Sequence, residues 1–253
     1  MPFTFSHPAI IIPFLNKKSK LFSTTGLVVG SLIPDFESFI RFSEHKIYSH
    51  TWPGIFWFDL PLGLIATFIF HNLVRDPLIN NLPDIIGDKF KPYKGFTWYQ
   101  YFKGHAWKVI YSMVLGITLH LLWDAFTHLN LANPDATDSD IYLWGTQVFK
   151  LLQDANSVLG LGAVVWYVAF MPVQETLHEE QGRYIYTITT PQRSIIRKVK
   201  FWAVAAVTEV ITVLLCMVLF NGHMSFVLFI DVNISGSLLG LILAAILMRD
   251  ARE

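Results

Sequence analysis

The chain holds one cysteine in 253 residues, Cys216, and it sits in an apolar run. A disulfide within the chain and a thiolate metal site are both excluded. Charge is scarce as well. Asp, Glu, Lys and Arg make up 15% of the residues, and 19 basic side chains balance 19 acidic ones. Soluble domains carry about 25% charged residues. The balance leaves no basic surplus for a nucleic-acid partner. No internal repeat and no low-complexity linker interrupts the sequence. The opening MPFTFSHPAIIIPFLNKKSK does not read as a signal peptide: its basic cluster follows the apolar stretch, and no small-residue cleavage site comes after it.

Apolar residues take the place of charge. They form 53% of the chain, with 21 Phe and 8 Trp, and the mean hydropathy is +0.45. A helix that crosses a bilayer needs about 20 predominantly apolar residues. Residues 54–74, 107–127, 156–172, 200–220 and 226–248 approach this length. Residues 21–34 are apolar but too short, which fits a re-entrant or buried helix. The expected fold is an all-α, polytopic membrane bundle of about five spans plus that short N-terminal helix. It is expected to form one domain over 1–253, with the motifs in 1–172 and two additional spans in 173–253.

The loops carry the orientation. Arg75, Lys89, Lys91, Lys94 and Lys103 lie in one, Arg183, Arg193, Arg197, Lys198 and Lys200 in another, and Arg249 and Arg252 in the tail. With five spans these share a side. Segment 129–155 has only Lys150 against Asp135, Asp138, Asp140 and Asp154, and segment 221–225 has no Lys or Arg. The positive-inside rule places the basic set, and the C-terminus, in the cytoplasm. Lys17, Lys18 and Lys20 leave the side of the N-terminus open.

One stretch stands out, WKVIYSMVLGITLHLLWDAFTH. His120, Asp124 and His128 recur every fourth position, so they share a helix face with about 40° of drift per step. The stripe runs back through the small residues Gly116 and Ser112. Ionisable groups inside a membrane face a protein interior or a wet cavity rather than lipid. On the same outer side come Asp35 and Glu37 of SLIPDFESF and His50 of KIYSHTW. Asp59 lies near the depth of His120, and His7 joins them if the N-terminal segment folds back. Imidazole and carboxylate are the ligands of zinc, manganese and iron sites without sulfur. Two metals would need a bridging carboxylate, a part Asp35 or Asp124 would serve, and Glu37 is left over as a general base. The same pattern also suits a hydrogen-bonded seam between helices.

Other polar groups carry blander expectations. His71 is expected to be an interfacial side chain beside Arg75 and Asp76; His45, His105, His178 and His223 belong in or beside loops. Asp231 and Asn233 are expected to cap the last span, and the aromatics of FTWYQYF to anchor an interfacial segment. Glu209, in mid-span, is a candidate for a proton path or a buried pair.

The blocks FTFSHP, GSLIPDFESF, SH ahead of FDLPLG, and HLLWDAFTH resemble the bacterial membrane-protein family called domain of unknown function 4184, over roughly residues 1–170. They are also similar to a broader group of bacterial membrane proteins described as metal-dependent hydrolases, and faintly resemble zinc-dependent phospholipases C. The resemblance implies His7, Asp35, His50, His120 and Asp124 as the polar set, and a bacterial cytoplasmic membrane as the location. The resulting expectation is a metal-dependent hydrolase of a lipid-derived or phosphoester substrate at the outer face. A divalent ion, zinc first, would be held by Asp35, His50, His120 and Asp124, with His7 and His128 as further ligands and Glu37 as base. Membrane lipids are the expected partners. The rival is a transporter or assembly factor in which these residues form a polar packing network. Ligand atoms about 2.0–2.2 Å from one point favour the metal; pairs at about 2.7–3.2 Å without a shared centre favour the network.

Overall fold

The computed structural model describes residues 3–15, 21–127, 142–143, 146–171 and 195–249. Apart from a two-residue antiparallel pairing, Tyr142 with Gln147 and Leu143 with Thr146, the described chain is helical. Among the described residues, four helices are long and apolar enough to cross a membrane: Ile55–Asn81, Trp98–Phe126, Ile195–Leu219 and Phe226–Leu247. They mark the protein as membrane-embedded. Residues 156–172, expected to be a fifth span, fall mostly in the helix Val148–Ala169. That helix starts with Lys150, Gln153, Asp154 and Asn156, and so is not among the four.

Contacts divide the chain into two compact units. The first comprises Met1–Arg41, His45–Thr67 and Tyr99–Phe170. It opens on a 3-10 helix, Thr4–Phe14, rather than an α-helix, and Pro8 and Pro13 explain why. In an α-helix each ring would clash with the carbonyl four residues back, that of Thr4 or Ala9. This segment packs against α1, Thr24–Leu32, and against the helix Val148–Ala169, where Phe3 N–H donates to Ser157 Oγ at 2.8 Å. Ser23 caps α1 by accepting from Gly26 N–H. At nine residues α1 is about 13 Å long, too short to cross. It is the buried helix expected over 21–34. A single turn, Ile33–Asp35, leads into α2, Phe36–Arg41.

Two further helices, α3 (Ile55–Asn81) and α4 (Trp98–Thr127), bring polar stripes to this unit. In α3, Ile55, Asp59, Gly63 and Thr67 are buried at spacings of four. In α4 the buried stripe is Val109, Ser112, Met113, Gly116, Ile117, His120 and Asp124. His105 breaks helical geometry near the start of α4, at φ −137° and ψ 28°, just ahead of the apolar run that begins at residue 107. The α1–α4 crossing is backbone on backbone. A Cβ on Gly30 would lie 2.3 Å from Met113 O, and one on Gly116 would lie 2.5 Å from Leu27 O. Only glycine permits that approach.

The second unit comprises Phe42–Glu44, Phe68–Trp98 and Met171–Glu253. The division therefore also separates 68–98 from the motif-bearing part, which a split at 172 does not. Helices α5 (Ile195–Leu219) and α6 (Phe226–Leu247) pack through Gly236, against Glu209, and Gly240, against Ala205. Phe201, Ala205 and Ala244 form one apolar cluster, and Cys216, Leu228 and Val232 another. Ser225, rather than Asp231 or Asn233, caps α6. His71 stacks on Trp98 at 4.3 Å and meets Arg75, which also bonds Asp76 and the Phe96 carbonyl. Those bonds account for the buried guanidinium, so His71 belongs to packing.

Candidate metal centre

His7, Asp35, His50, His120 and Asp124 meet within the first unit. His120, on α4, places Nδ1 2.8 Å from the Ser31 carbonyl. That contact requires Nδ1–H to donate, which leaves Nε2 as the lone-pair nitrogen of a neutral ring. His7 repeats the pattern, with Nδ1 3.2 Å from the Thr4 carbonyl. The two rings stack at 3.9 Å and 17°. Their Nε2 atoms face carboxylates: His7 lies 3.2 Å from Asp124 Oδ1, and His120 lies 3.5 Å from Asp124 Oδ2 and 3.6 Å from Asp35 Oδ1. Both imidazoles thus face oxygen atoms with both nitrogens.

The carboxylates facing these nitrogens favour positive charge among them, part of which Lys46 supplies at Asp35. Protonating both rings would stack two cations at 3.9 Å, a repulsion of about 4 kcal/mol at an effective dielectric of about 20. Leaving them neutral aims lone pairs at carboxylates. A cation between the Nε2 atoms and the carboxylates resolves both difficulties. The buried Nε2 of His120 and Oδ2 of Asp35 have no hydrogen-bond partner among the described residues, and they are what such an ion would satisfy.

Four of the five facing pairs agree with that fit, and the fifth, at 3.8 Å, exceeds it. Ligand atoms about 2.0–2.2 Å from one centre lie about 2.9–3.6 Å apart at tetrahedral or octahedral angles. The pairs observed are 3.0 Å for His50 Nε2 to Asp124 Oδ2, 3.2, 3.5 and 3.6 Å for those above, and 3.8 Å for His50 Nε2 to Asp35 Oδ1. The two shortest also suit hydrogen bonds. The three longest do not. Asp124 faces His7 with one oxygen and His50 and His120 with the other, the disposition of a bridging carboxylate. His128 lies outside the described residues.

Glu37 takes on a task different from the expected base. Its Oε1 accepts from Arg41 Nη1 and Ile47 N–H, both at 2.8 Å; its Oε2 accepts from Tyr48 N–H at 3.0 Å and Ser49 N–H at 2.7 Å. Four donors fill the lone-pair sites of a carboxylate and leave none for a water proton. Burial alone would raise its pKa, but the amides of Ile47, Ser49 and Tyr48, with Arg41, bring it down to about 2. Glu37 is a clamp on the loop 45–50. That loop ends at His50, which sits at φ 54° in the left-handed region and turns its ring toward Asp124. Burial, set against the Asp124 contact and joined by Lys46, pulls His50 below its ordinary pKa. Glu37→Gln should therefore destabilise the fold, since its amide would confront N–H donors. A loss of about 2–4 kcal/mol is expected, read as a lower melting temperature, with weaker metal retention through His50.

Lys46 is a site residue that sequence reasoning misses. Its ammonium pairs with Asp35 Oδ1 and lies 3.2 Å from His50 Nε2. Burial would push the Asp35 carboxyl up; Lys46 first, then His120, His7 and His50, hold it below the usual carboxylate range. The only signal is a lysine four positions before His50. Asp59 is fully buried, and neither of its oxygens has a hydrogen-bond partner among the described residues. Elsewhere, His105 stacks on Tyr101 at 4.8 Å, the His45 carbonyl accepts from Arg41, and His178 lies outside the described residues.

The profile of one family, described as Domain of unknown function (DUF4184), matches residues 1–247. The chain belongs to this family. The match runs past the roughly 1–170 of the motif blocks and takes in residues of both units. No curated protein and no solved structure matches the chain.

Proposed function

We propose that this member of the DUF4184 family is a membrane-embedded, metal-dependent hydrolase acting on a lipid-derived or phosphoester substrate. What carries the reading is the stacked pair His7 and His120, each set by a backbone carbonyl to aim Nε2 at carboxylates. The outward location rests on the basic loops, and zinc on a nitrogen and oxygen donor set without sulfur.

His7, Asp35, His50, His120 and Asp124 would hold the ion. A bound divalent metal supplies a water of lowered pKa and polarises an ester oxygen. The carbonyls of Thr4 and Ser31 fix the ring orientations, a second layer that ligand imidazoles need. With Glu37 engaged, a proton can pass to Asp59, whose oxygens have no hydrogen-bond partner among the described residues.

The test is elemental analysis of protein purified without chelator. One or two equivalents of transition metal per chain are expected, together with hydrolysis of at least one member of a phospholipid and phosphodiester panel. Metal without turnover would leave a structural ion. Protein free of metal would favour the packing-network reading, for which the two contacts of hydrogen-bond length already speak.

A further inference from the structure

We propose that Lys46 is the anion-recognising group of this site, and that the ligand it selects carries a phosphate-type oxygen; the proposal rests on the metal reading above. The position is built rather than incidental. Glu37 binds the amides of Ile47, Tyr48 and Ser49, the residues that follow Lys46, and so fixes the loop between Lys46 and His50. A lysine in a loop normally extends its ammonium into water. This one is turned inward: its side chain is 10% exposed, and it contacts Asp35 and His50. His50, at 20%, is the least buried of the five candidate ligands, with His7 and His120 at 0%, Asp35 at 5% and Asp124 at 7%. Lys46 therefore stands on the side of the cluster from which a ligand arrives.

Charge explains why an ammonium belongs there only if the ligand is anionic. A cation held beside a divalent metal repels it. Asp35 offsets part of that repulsion, since Oδ1 holds Lys46 while Oδ2 has no hydrogen-bond partner among the described residues. An anion touching both metal and ammonium reverses the remainder. A metal on His50 Nε2 would also take the lone pair that Lys46 now approaches at 3.2 Å, and that N–H would turn to the next acceptor. A neutral ester offers that N–H no charged acceptor. A phosphate oxygen supplies one, and lysine binds phosphate as a point charge. The oxygen can come from a lipid headgroup or from free phosphate.

The experiment uses the full chain in neutral detergent, incubated with zinc and freed of excess. Inorganic phosphate and short-chain phosphatidylglycerol are titrated separately by calorimetry, with the uncharged short-chain diacylglycerol as control. The parent should bind at least one of the two phosphates and not the control. Lys46→Gln should keep its zinc and bind that ligand at least tenfold more weakly, and Lys46→Arg should recover most of the loss. Binding only of the lipid assigns the headgroup, and binding only of inorganic phosphate assigns the free anion. Equal phosphate affinity in zinc-loaded parent and Lys46→Gln overturns the proposal and makes Lys46 a partner of Asp35 alone. Absence of zinc from both proteins is a separate failure, of the metal reading. In that case Lys46-dependent phosphate binding by the metal-free chain still supports the proposal, and its absence overturns it. Should Lys46→Gln not fold, the arginine variant decides: retained phosphate binding supports the proposal, and loss of it with zinc retained overturns it.

Discussion

Asp124→Ala should leave the protein without metal. Asp124 lies within 3.5 Å of three imidazoles, with Oδ1 at 3.2 Å from His7 and Oδ2 at 3.0 and 3.5 Å from His50 and His120. Its loss removes up to two donor oxygens and one negative charge together. Metal affinity should fall by at least about a hundredfold, more than the loss of an outer-layer contact brings. The thermal shift between zinc-loaded and chelator-treated protein should vanish in the variant, because that shift is binding free energy seen as stability. Asp124→Asn should fall between, since the amide keeps one oxygen. Stoichiometric metal in Asp124→Ala would remove this carboxylate from the ligand set.

Gly30→Val should be as damaging without touching a ligand. A Cβ on Gly30 meets Met113 O at 2.3 Å and the Met113 carbonyl carbon at 3.0 Å, both backbone atoms that no rotamer change can move. The two helices must part or slide. The cost should exceed about 3 kcal/mol, at the upper end for overpacking. The Ser31 carbonyl, one residue on, would move away from His120 Nδ1, so metal should be lost along with stability. Gly162→Ala is the matched control. Nothing lies within 4 Å of its added carbon, and alanine favours helix over glycine by about 1 kcal/mol. Its melting temperature should hold or rise. Melting curves and metal content of the three proteins decide the point.

The membrane character is legible in the sequence because runs of about 20 predominantly apolar residues match the thickness of a bilayer and seldom serve anything else. Helix α1 is legible as a buried element for the opposite reason, its shortness. The pair His120 and Asp124 follows from helical spacing alone. His7 does not, since its partner lies 117 positions away and no local periodicity encodes that contact. It enters only on the condition that the N-terminal segment folds back, and through the family resemblance. Glu37 reads as a base in the sequence because three of its four partners are backbone amides, which carry no residue signature. Lys46 escapes notice because a loop lysine reads as solvated. The inward turn depends on Glu37 gripping the next three residues, a long-range cause invisible in the local pattern. The helix Val148–Ala169 reads as a span from its apolar second half, while its first turns are polar.

The hydrogen bond from His120 to Ser31 also works as a gauge of assembly. Glycines at the crossing leave the two helices no cushion of side chains, so their relative position is set by backbone alone. A slip of one residue moves a helix by about 1.5 Å along its axis, enough to take the carbonyl out of reach and let the ring rotate. The segments carrying His7, Asp35, His50 and Asp124 must then also be in place before five donors can close on one ion. Metal capture would thus be a late event in the life of the chain. A molecule threaded out of register would keep its donors apart, and no ion could be held by all of them.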